Sequence, residues 1–107
     1  MRRRRRTSSA ISRDKDIGEF AKSVYRVVAR IPAGQVRSYK WVAKRIGRPG
    51  ACRAVGNALN ANPFAPEVPC HRVVRSDGSL GGFARGAGAK RRLLRREGID
   101  FGRAGLL

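Results

Sequence analysis

Residues 38–60 read SYKWVAKRIGRPGACRAVGNALN and predict two short helices joined by a tight turn. Ser38 can cap a first helix that runs to Ile46, because its hydroxyl can accept a hydrogen bond from a free backbone amide. The Gly-Arg-Pro-Gly run at 47–50 breaks the helical pattern and predicts the turn. A second helix is predicted over about 51–60. This spacing is typical of a helix-turn-helix, although two short helices of this kind also occur in proteins that never touch DNA.

The second helix of this pair has two contrasting faces. Its apolar stripe is suited to packing and consists of Cys52, Val55, Ala58 and Leu59. Its opposite face is small and polar and consists of Arg53, Gly56, Asn57 and Asn60. Small side chains let a groove or a backbone approach closely, and the Arg53 guanidinium stays charged. The polar face therefore favours contact with nucleic acid.

The chain as a whole is strongly basic. Its 107 residues include 25 Lys and Arg against 7 Asp and Glu, which gives a net charge of +18. This excess predicts a polyanionic partner, with nucleic acid as the first candidate and an anionic membrane surface as the second. No apolar run approaches the ~20 residues of a membrane span, and none follows the N-terminal arginines as an export signal requires. We expect a cytoplasmic, monomeric protein, associated with the nucleoid if the source is prokaryotic.

Residues 1–13 differ in composition from the rest of the chain. They contain five consecutive arginines followed by Ser and Thr, with almost nothing to bury. Like charges at this density repel one another, which predicts a disordered basic tail that cannot form a further domain. The tail either adds sequence-independent affinity for phosphates or is solvated without a specific role. The folded domain is predicted to occupy residues 14–107, and its first helix has an apolar core face that runs from Ile17 to Ile31.

The second half of the chain alternates loops with short regular elements. Three prolines in residues 62–69 predict a stiff loop that loses little entropy on folding. The Val-Val, Asp-Gly and Leu pattern of residues 73–80 suggests a short β-hairpin. A basic helix is predicted over residues 90–97 and ends at Gly98. The predicted fold class is mainly α with a small β-hairpin.

A thiol lies beside the chain's single histidine in Pro69-Cys70-His71-Arg72-Val73-Val74. A thiolate is a strong nucleophile, and an adjacent imidazole is the usual means of forming one at neutral pH. A Cys-His dipeptide alone is a weak signal, because most cysteines are small buried hydrophobes. Two cysteines and one histidine are too few for a four-ligand zinc site, so neither a metal nor a cofactor is predicted. A Cys52–Cys70 disulfide is conceivable but is not expected in a reducing compartment.

Several motifs follow one another between about residues 20 and 101. They are IPAGQV at 31–36 with SY at 38–39, RAVG at 53–56, NANP at 60–63, PCHRVV at 69–74, GGF at 81–83, and LL at 93–94 with EG at 97–98. Together they resemble the methylated-DNA–protein-cysteine methyltransferases, also called O6-alkylguanine-DNA alkyltransferases. The resemblance implies the winged helix-turn-helix-like C-terminal domain of that family.

The resemblance implies DNA repair by irreversible transfer of an alkyl group, such as methyl, from guanine O6 to Cys70. The implied partner is double-stranded DNA containing O6-alkylguanine, whose damaged nucleotide must first rotate out of the base stack. By the same resemblance, His71 is the base, acting through a water, and Glu97 orients it. Tyr39 assists rotation and donates a proton to the departing guanine, while Asn62 braces the active-site turn. The sequence does not identify a repair-protein partner.

The DNA contacts of the family correspond to positions in the helix-turn-helix. By this carry-over, Arg53 fills the space that the rotated nucleotide leaves in the stack. The other residues expected at DNA are Ala54, Gly56, Asn57, Ser38 and Tyr39. The residues expected to form the substrate pocket are Val73, Phe83, Ala84 and Arg85. At Ala84-Arg85 the chain departs from the family, where Ser-Gly is common, so a hydroxyl near the alkylated oxygen is lost and a bulky charge is added.

Two other functions fit part of the sequence. One is a non-catalytic alkyltransferase-like protein that binds the damaged base and recruits repair. Such relatives replace the reactive cysteine, commonly with Trp, and Cys70 argues against this reading. The other is a winged-helix DNA-binding regulator, which explains the charge and the paired helices but gives no reason for the motif at 69–74.

Overall fold

The computed structural model describes residues 10–65, 67–83 and 85–99. The regular elements in these ranges are α1 (Glu19–Val28), β1 (Arg37–Ser38), α2 (Tyr39–Arg45), α3 (Cys52–Asn60), a 3-10 helix (Cys70–Arg72), β2 (Val73–Val74) and α4 (Ala87–Arg96). The predicted class, mainly α with little β structure, is confirmed. Residues 1–9 of the expected tail and the expected pocket residue Ala84 lie outside the described residues. No helix in the described ranges has the length and apolar character needed to cross a membrane.

The chain joins the core earlier than the predicted start at residue 14. Residues 10–13 form a helical turn, and Ile11 is fully buried in the main apolar cluster. Two side chains of α1 hold this turn, because Lys22 Nζ donates to the Ser12 carbonyl at 3.3 Å and Arg26 Nη2 donates to Ser12 Oγ at 3.0 Å. A single isoleucine at the end of a basic segment therefore extends the folded region into the predicted tail.

α1 is the core helix that supports the helix-turn-helix. Val24 and Val28 are fully buried, and Tyr25 is 2 % exposed. The Tyr25 hydroxyl donates a 2.6 Å hydrogen bond to the carbonyl of Ala58, which lies in the last turns of α3. The Phe64 ring packs edge-on against Tyr25, with the ring centroids 5.8 Å apart. α1 thus fixes the C-terminal end of α3 through a polar contact as well as through apolar packing.

The predicted helix-turn-helix is confirmed as α2 and α3. Ser38 Oγ accepts a hydrogen bond from the amide of Trp41 at 2.9 Å, so Ser38 is the N-cap that the sequence predicts. The two helices bury Val42 and Val55 completely in the main cluster. The Arg48 amide donates to the Ala43 carbonyl at 2.8 Å and closes the turn. With the apolar stripe inside, the polar side chains of α3 are left at the surface.

The predicted β-hairpin is wrong in its pairing. β2 pairs in parallel with β1, with Arg37 opposite Val73 and Ser38 opposite Val74. The Asp-Gly segment forms a tight turn, in which the Arg75 amide donates to the Ser79 carbonyl at 3.0 Å. A strand of two residues cannot signal its partner by local pattern, because a parallel partner lies far away in sequence. The pairing matters for the site, since it brings the start of α2 beside the segment that carries Cys70.

α4 packs against β2 through an apolar cluster that is separate from the main one. Leu94 is fully buried and belongs to a second apolar cluster with Val74, Leu80 and Ile99. Gly98 has φ +86 and turns the chain, so that the Ile99 amide bonds to the Leu94 carbonyl at 2.9 Å. The helix begins at Ala87 and not at residue 90 as predicted.

Candidate active site

Cys70 is the first residue of the 3-10 helix, which immediately precedes β2. Its amide donates to the Val68 carbonyl at 2.9 Å, and the Arg72 amide donates to the Pro69 carbonyl at 2.9 Å. The cysteine is partly buried, and both Cys52 and Cys70 are free thiols. Short backbone hydrogen bonds on both sides therefore hold the thiol on a tight turn without a long regular element.

Asn62 bridges the loop that precedes this turn. Its Nδ2 donates to the Val68 carbonyl at 2.8 Å, and its Oδ1 accepts from the Phe64 amide at 2.9 Å. Both halves of the side-chain amide are used, and one of them reaches the carbonyl that also accepts from the Cys70 amide. This geometry suits the expected bracing role, which stays a prediction.

His71, Arg72 and Glu97 form a compact polar cluster under the turn. His71 Nε2 lies 3.1 Å from Glu97 Oε2. Arg72 Nε donates to Glu97 Oε1 at 2.9 Å and Arg72 Nη2 donates to Oε2 at 2.6 Å, while Arg72 Nη1 donates to the Ile31 carbonyl at 2.7 Å. Because the Glu97 carboxylate can only accept, the His71 tautomer with a proton on Nε2 satisfies this contact and leaves Nδ1 as a free acceptor.

The charges of this cluster have different origins. Burial opposes ionisation of Glu97, but the hydrogen bonds from Arg72 and His71 outweigh it and lower the pKa of Glu97 to about 2. Burial lowers the pKa of His71, and this exceeds the opposing effect of its hydrogen bond to Glu97. At neutral pH the cluster therefore contains an anionic Glu97, a cationic Arg72 and a neutral His71 that can accept a proton.

Tyr39 and Lys90 meet near Cys70, at the carbonyl of Gly82. Lys90 Nζ donates to Tyr39 Oη at 3.3 Å and to the Gly82 carbonyl at 3.2 Å, and the Tyr39 hydroxyl donates to the same carbonyl at 3.4 Å. Burial raises the pKa of Tyr39, with a further contribution from the nearby Cys70. Burial lowers the pKa of Lys90 to about 8. Two titratable side chains that the sequence places 51 positions apart thus share one carbonyl.

A cavity of about 430 Å³ lies between α3 and the loop before α4. Its lining residues are Tyr39, Cys52, Arg53, Gly56, Asn57, Asn60, Arg75 and Gly82. Four of the six residues expected at DNA therefore surround it. Of the other two, Ala54 is exposed on α3, and Ser38 is engaged as the N-cap of α2. The polar face of α3 and Tyr39 are thus parts of one concave region.

The residues expected in the substrate pocket lie in three settings. Val73 is fully buried in β2 and does not line the cavity beside α3. Phe83 is partly buried, and the Arg85 guanidinium lies over its ring, 5.3 Å from the centroid. Arg85 is exposed, so the added charge at this position is held against an aromatic face and not inserted into the core.

Sequence reasoning missed two contributors to the site, Arg72 and Lys90. Arg72 was part of the quoted motif, but nothing in a single chain indicates that its side chain reaches Glu97. The sequence places Lys90 in a predicted basic helix and indicates no role for it. The one available signal is its spacing, since Lys90 and Leu94 are i and i+4 and share a face of α4.

Comparison with known proteins identifies the family. Residues 19–99 match the family described as 6-O-methylguanine DNA methyltransferase, DNA binding domain. A methylated-DNA–protein-cysteine methyltransferase of Methanosarcina barkeri is 51% identical over 79 residues, covering 74% of this chain and 50% of the relative. The relative of that name from Salmonella typhimurium is 49% identical, again over 74% of this chain but 46% of its own length.

Solved structures agree with this assignment. The Mycobacterium tuberculosis OGT in complex with DNA is 45% identical, with a TM-score of 0.75, and the match covers 77% of this chain and 50% of that one. S. pombe Atl1, in complex with damaged DNA containing O6-carboxymethylguanine, is 34% identical with a TM-score of 0.70 over 78% of this chain and 80% of that one. The chain spans about half the length of the methyltransferases that it matches. It belongs to the 6-O-methylguanine DNA methyltransferase family, through the DNA-binding domain.

Proposed function

We propose that this protein repairs DNA by moving an alkyl group from guanine O6 in duplex DNA to the sulfur of Cys70. The observation that carries the proposal is the setting of the thiol, next to a neutral His71 whose Nε2 is held by an ionised Glu97. A positioned acceptor beside a thiol is what nucleophilic catalysis by cysteine requires. A cytoplasmic location follows as part of the proposal, because the substrate is DNA.

Substrate binding uses the concave region beside α3. The net charge of +18 favours association with the duplex through its phosphates. Rotating the damaged nucleotide out of the stack costs a few kcal/mol, which is offset when a side chain occupies the vacated space. Arg53 is exposed on α3 and lines the cavity, so it is suited to that position.

The transfer is a displacement at the alkyl carbon. The Cys70 thiol gives its proton through a water to Nδ1 of His71, and the resulting thiolate forms a bond to the alkyl carbon. The bond from that carbon to O6 breaks, and its electron pair goes to the guanine. Tyr39 donates a proton to the guanine, which makes it a better leaving group. The product is a thioether, which nothing in the site can hydrolyse, so each molecule acts once.

The test is alkylation of the intact protein by a duplex containing O6-methylguanine, followed by mass analysis of its peptides. We expect a single methyl group on Cys70. Cys70→Ser should still bind the duplex but take up no methyl, because a hydroxyl is far less nucleophilic at neutral pH. Cys52→Ser is the matched control and should still take up one methyl group on Cys70. Methyl on Cys52, or unmodified wild-type protein after prolonged incubation, would overturn the proposal.

A second candidate function is favoured by one observation, the likeness to S. pombe Atl1. That protein was solved in complex with damaged DNA containing O6-carboxymethylguanine, and it matches this chain at 34% identity. The likeness would suit a protein that binds the alkylated base without removing the alkyl group. The same experiment separates the two functions, since tight binding to the O6-methylguanine duplex without methylation of Cys70 supports the second.

A further inference from the structure

Lys90 is a fully buried lysine that pairs with no carboxylate among the described residues. Its relative exposure is 0 %, and it has the largest side chain among the completely buried residues. Among the described residues, the carboxylates that form ion pairs are Glu19 and Glu97, and neither pairs with Lys90. Charged side chains are almost never fully buried unless they are paired. A buried lysine without a carboxylate partner in the described part of the chain needs an explanation beyond packing.

The hydrogen bonds of Lys90 all lead to the proposed reaction site. Its ammonium donates to Tyr39 Oη at 3.3 Å and to the Gly82 carbonyl at 3.2 Å. It also lies 5.5 Å from the centroid of the Tyr39 ring. Tyr39 and Gly82 both line the cavity beside α3, whereas Lys90 lies behind them. The ammonium therefore contacts the cavity lining through Tyr39 and the Gly82 carbonyl, and Tyr39 is the titratable one of the two.

The groups that face Lys90 come from three segments. Cys70 of the 3-10 helix favours the charged form when it is a thiolate, while Arg75 after β2 disfavours it. Tyr39 of α2 is the hydrogen-bonding partner. His71, beside Cys70, has its own pKa lowered in part by the charge of Lys90. Among the described residues, the group whose negative charge favours the ammonium is thus the Cys70 thiolate.

We propose that Lys90 is a positioning residue for the transfer step, acting through Tyr39: it fixes the phenol and returns the proton that Tyr39 gives to the guanine. This inference rests on the proposed function above. A phenol is a weak acid at neutral pH, and an ammonium bonded to its oxygen stabilises the phenolate that forms as the proton leaves. Lys90 therefore makes Tyr39 a more effective acid.

The proton balance of this step is complete. The sulfur–carbon bond forms, the carbon–O6 bond breaks, and the guanine takes the Tyr39 proton. The Lys90 ammonium then passes one proton to the phenolate, which leaves neutral Tyr39 and a neutral amine. The thiolate and ammonium are both discharged in the same turnover, so the alkylated protein does not keep a buried ammonium without its counter-charge. The lowered pKa of Lys90, about 8, suits a group that gives up a proton near neutral pH.

The test compares Lys90→Met with the control Lys44→Met, which changes an exposed lysine of α2. Single-turnover methyl transfer is measured from an O6-methylguanine duplex at saturating DNA, between about pH 6.5 and pH 9.5. We expect Lys90→Met to be slower than wild type by about tenfold or more at pH 7. The ratio of the two rates should approach one as the pH rises through about 8, where wild-type Lys90 loses its charge. Lys44→Met should follow wild type at every pH.

A second variant keeps the proposal testable whatever the folding of Lys90→Met. Tyr39→Phe retains Lys90 but removes the hydroxyl, so its rate should lack the alkaline decline near pH 8. In the Tyr39→Phe background, adding Lys90→Met should slow transfer by less than about twofold, because the route for the proton is already lost.

The outcomes separate this inference from the proposed function. Wild-type protein that transfers no methyl overturns the proposed function and this inference with it. A wild-type protein that transfers, but whose rate ratio to Lys90→Met is constant across pH, overturns this inference alone and makes Lys90 a structural residue. An equally large effect of Lys90→Met with and without Tyr39 also overturns it, since Lys90 would then act independently of the phenol.

Discussion

Glu97 and Lys90 both come from the α4 region and both lie near the Cys70 turn, yet their surroundings differ in kind. Glu97 accepts two hydrogen bonds from Arg72 and contacts His71, and its side chain is 17% exposed. Lys90 is 0 % exposed, and its hydrogen-bond partners within the described ranges are a phenol and a backbone carbonyl. The charge of Glu97 is neutralised by bidentate pairing with Arg72, whereas the charge of Lys90 has no carboxylate partner among the residues that the structure describes.

The difference indicates what each charge does for the molecule. A bidentate Arg–carboxylate pair fixes two segments in one geometry, and breaking it leaves an uncompensated charge. An unpaired buried ammonium lowers stability, and such a cost persists where function requires it. We therefore expect Glu97 to stabilise the fold and Lys90 to destabilise it at neutral pH, although both serve the same site.

The largest expected effect is that of Glu97→Gln on stability. The substitution removes the charge that Arg72 and His71 contact, so the Arg72 guanidinium is left without a counter-ion. The free energy of unfolding should fall by about 4 kcal/mol at pH 7, as measured by urea denaturation. Glu67→Gln changes an exposed carboxylate and should stay within about 0.5 kcal/mol of wild type. Equal effects of the two substitutions would mean that the contacts of Glu97 with Arg72 and His71 do not stabilise the fold.

The free energy of unfolding measured at acid pH should also depend on the pair formed by Glu97 and Arg72. The pKa of Glu97 is about 2 in the folded protein against an ordinary value of 4.5, so unfolding takes up a proton as the pH falls through this window. Glu97 should account for a loss on the order of 3 kcal/mol between pH 4.5 and 2. The wild-type and Glu97→Gln curves should converge toward pH 2. His71, whose pKa is lowered by burial, should add a loss that begins below its ordinary pKa of 6.5.

The smallest effect has the opposite sign and concerns Lys90. Its pKa is about 8 when folded and 10.5 ordinarily, so the unfolded chain binds more protons in between and stability rises with pH across that window. Lys90→Met should therefore be more stable than wild type by about 2 kcal/mol at pH 7, after allowing for the two lost hydrogen bonds. The gain should disappear by about pH 10.5, as urea denaturation at several pH values can measure. A destabilised Lys90→Met at pH 7 would mean that the buried ammonium is compensated after all.

Local patterns were sufficient to predict the helices. Ser38 as a cap, the glycine-rich turn and the apolar stripe through Val55 each report on neighbours within a few residues, and the structure has all three. The wrong hairpin and the buried Ile11 are of another kind. A two-residue parallel strand and a single isoleucine depend on contacts distant in sequence, which no local periodicity records.

In the candidate site, too, some residues can be predicted from local motifs and others depend on contacts distant in sequence. Sequence motifs singled out His71 and Glu97, and the structure brings their side chains to 3.1 Å, although their chemical roles stay predictions. Arg72 and Lys90 escaped because their long side chains usually point to solvent, and only the tertiary fold shows that theirs point inward. The net charge counted from the sequence therefore overstates the positive charge that is exposed to a binding partner.

Gly81 lies against Tyr39, so that two segments far apart in the chain constrain each other's side chains. Its φ is +78, and a Cβ there would lie 3.1 Å from both Cε2 and the hydroxyl of Tyr39. Any side chain at this position would push the aromatic ring away from Lys90 and from the cavity beside α3. We expect relatives to carry a side chain here only where the residue corresponding to Tyr39 is smaller, so that the two positions co-vary. An alignment in which they vary independently would show that the loop can shift to make room.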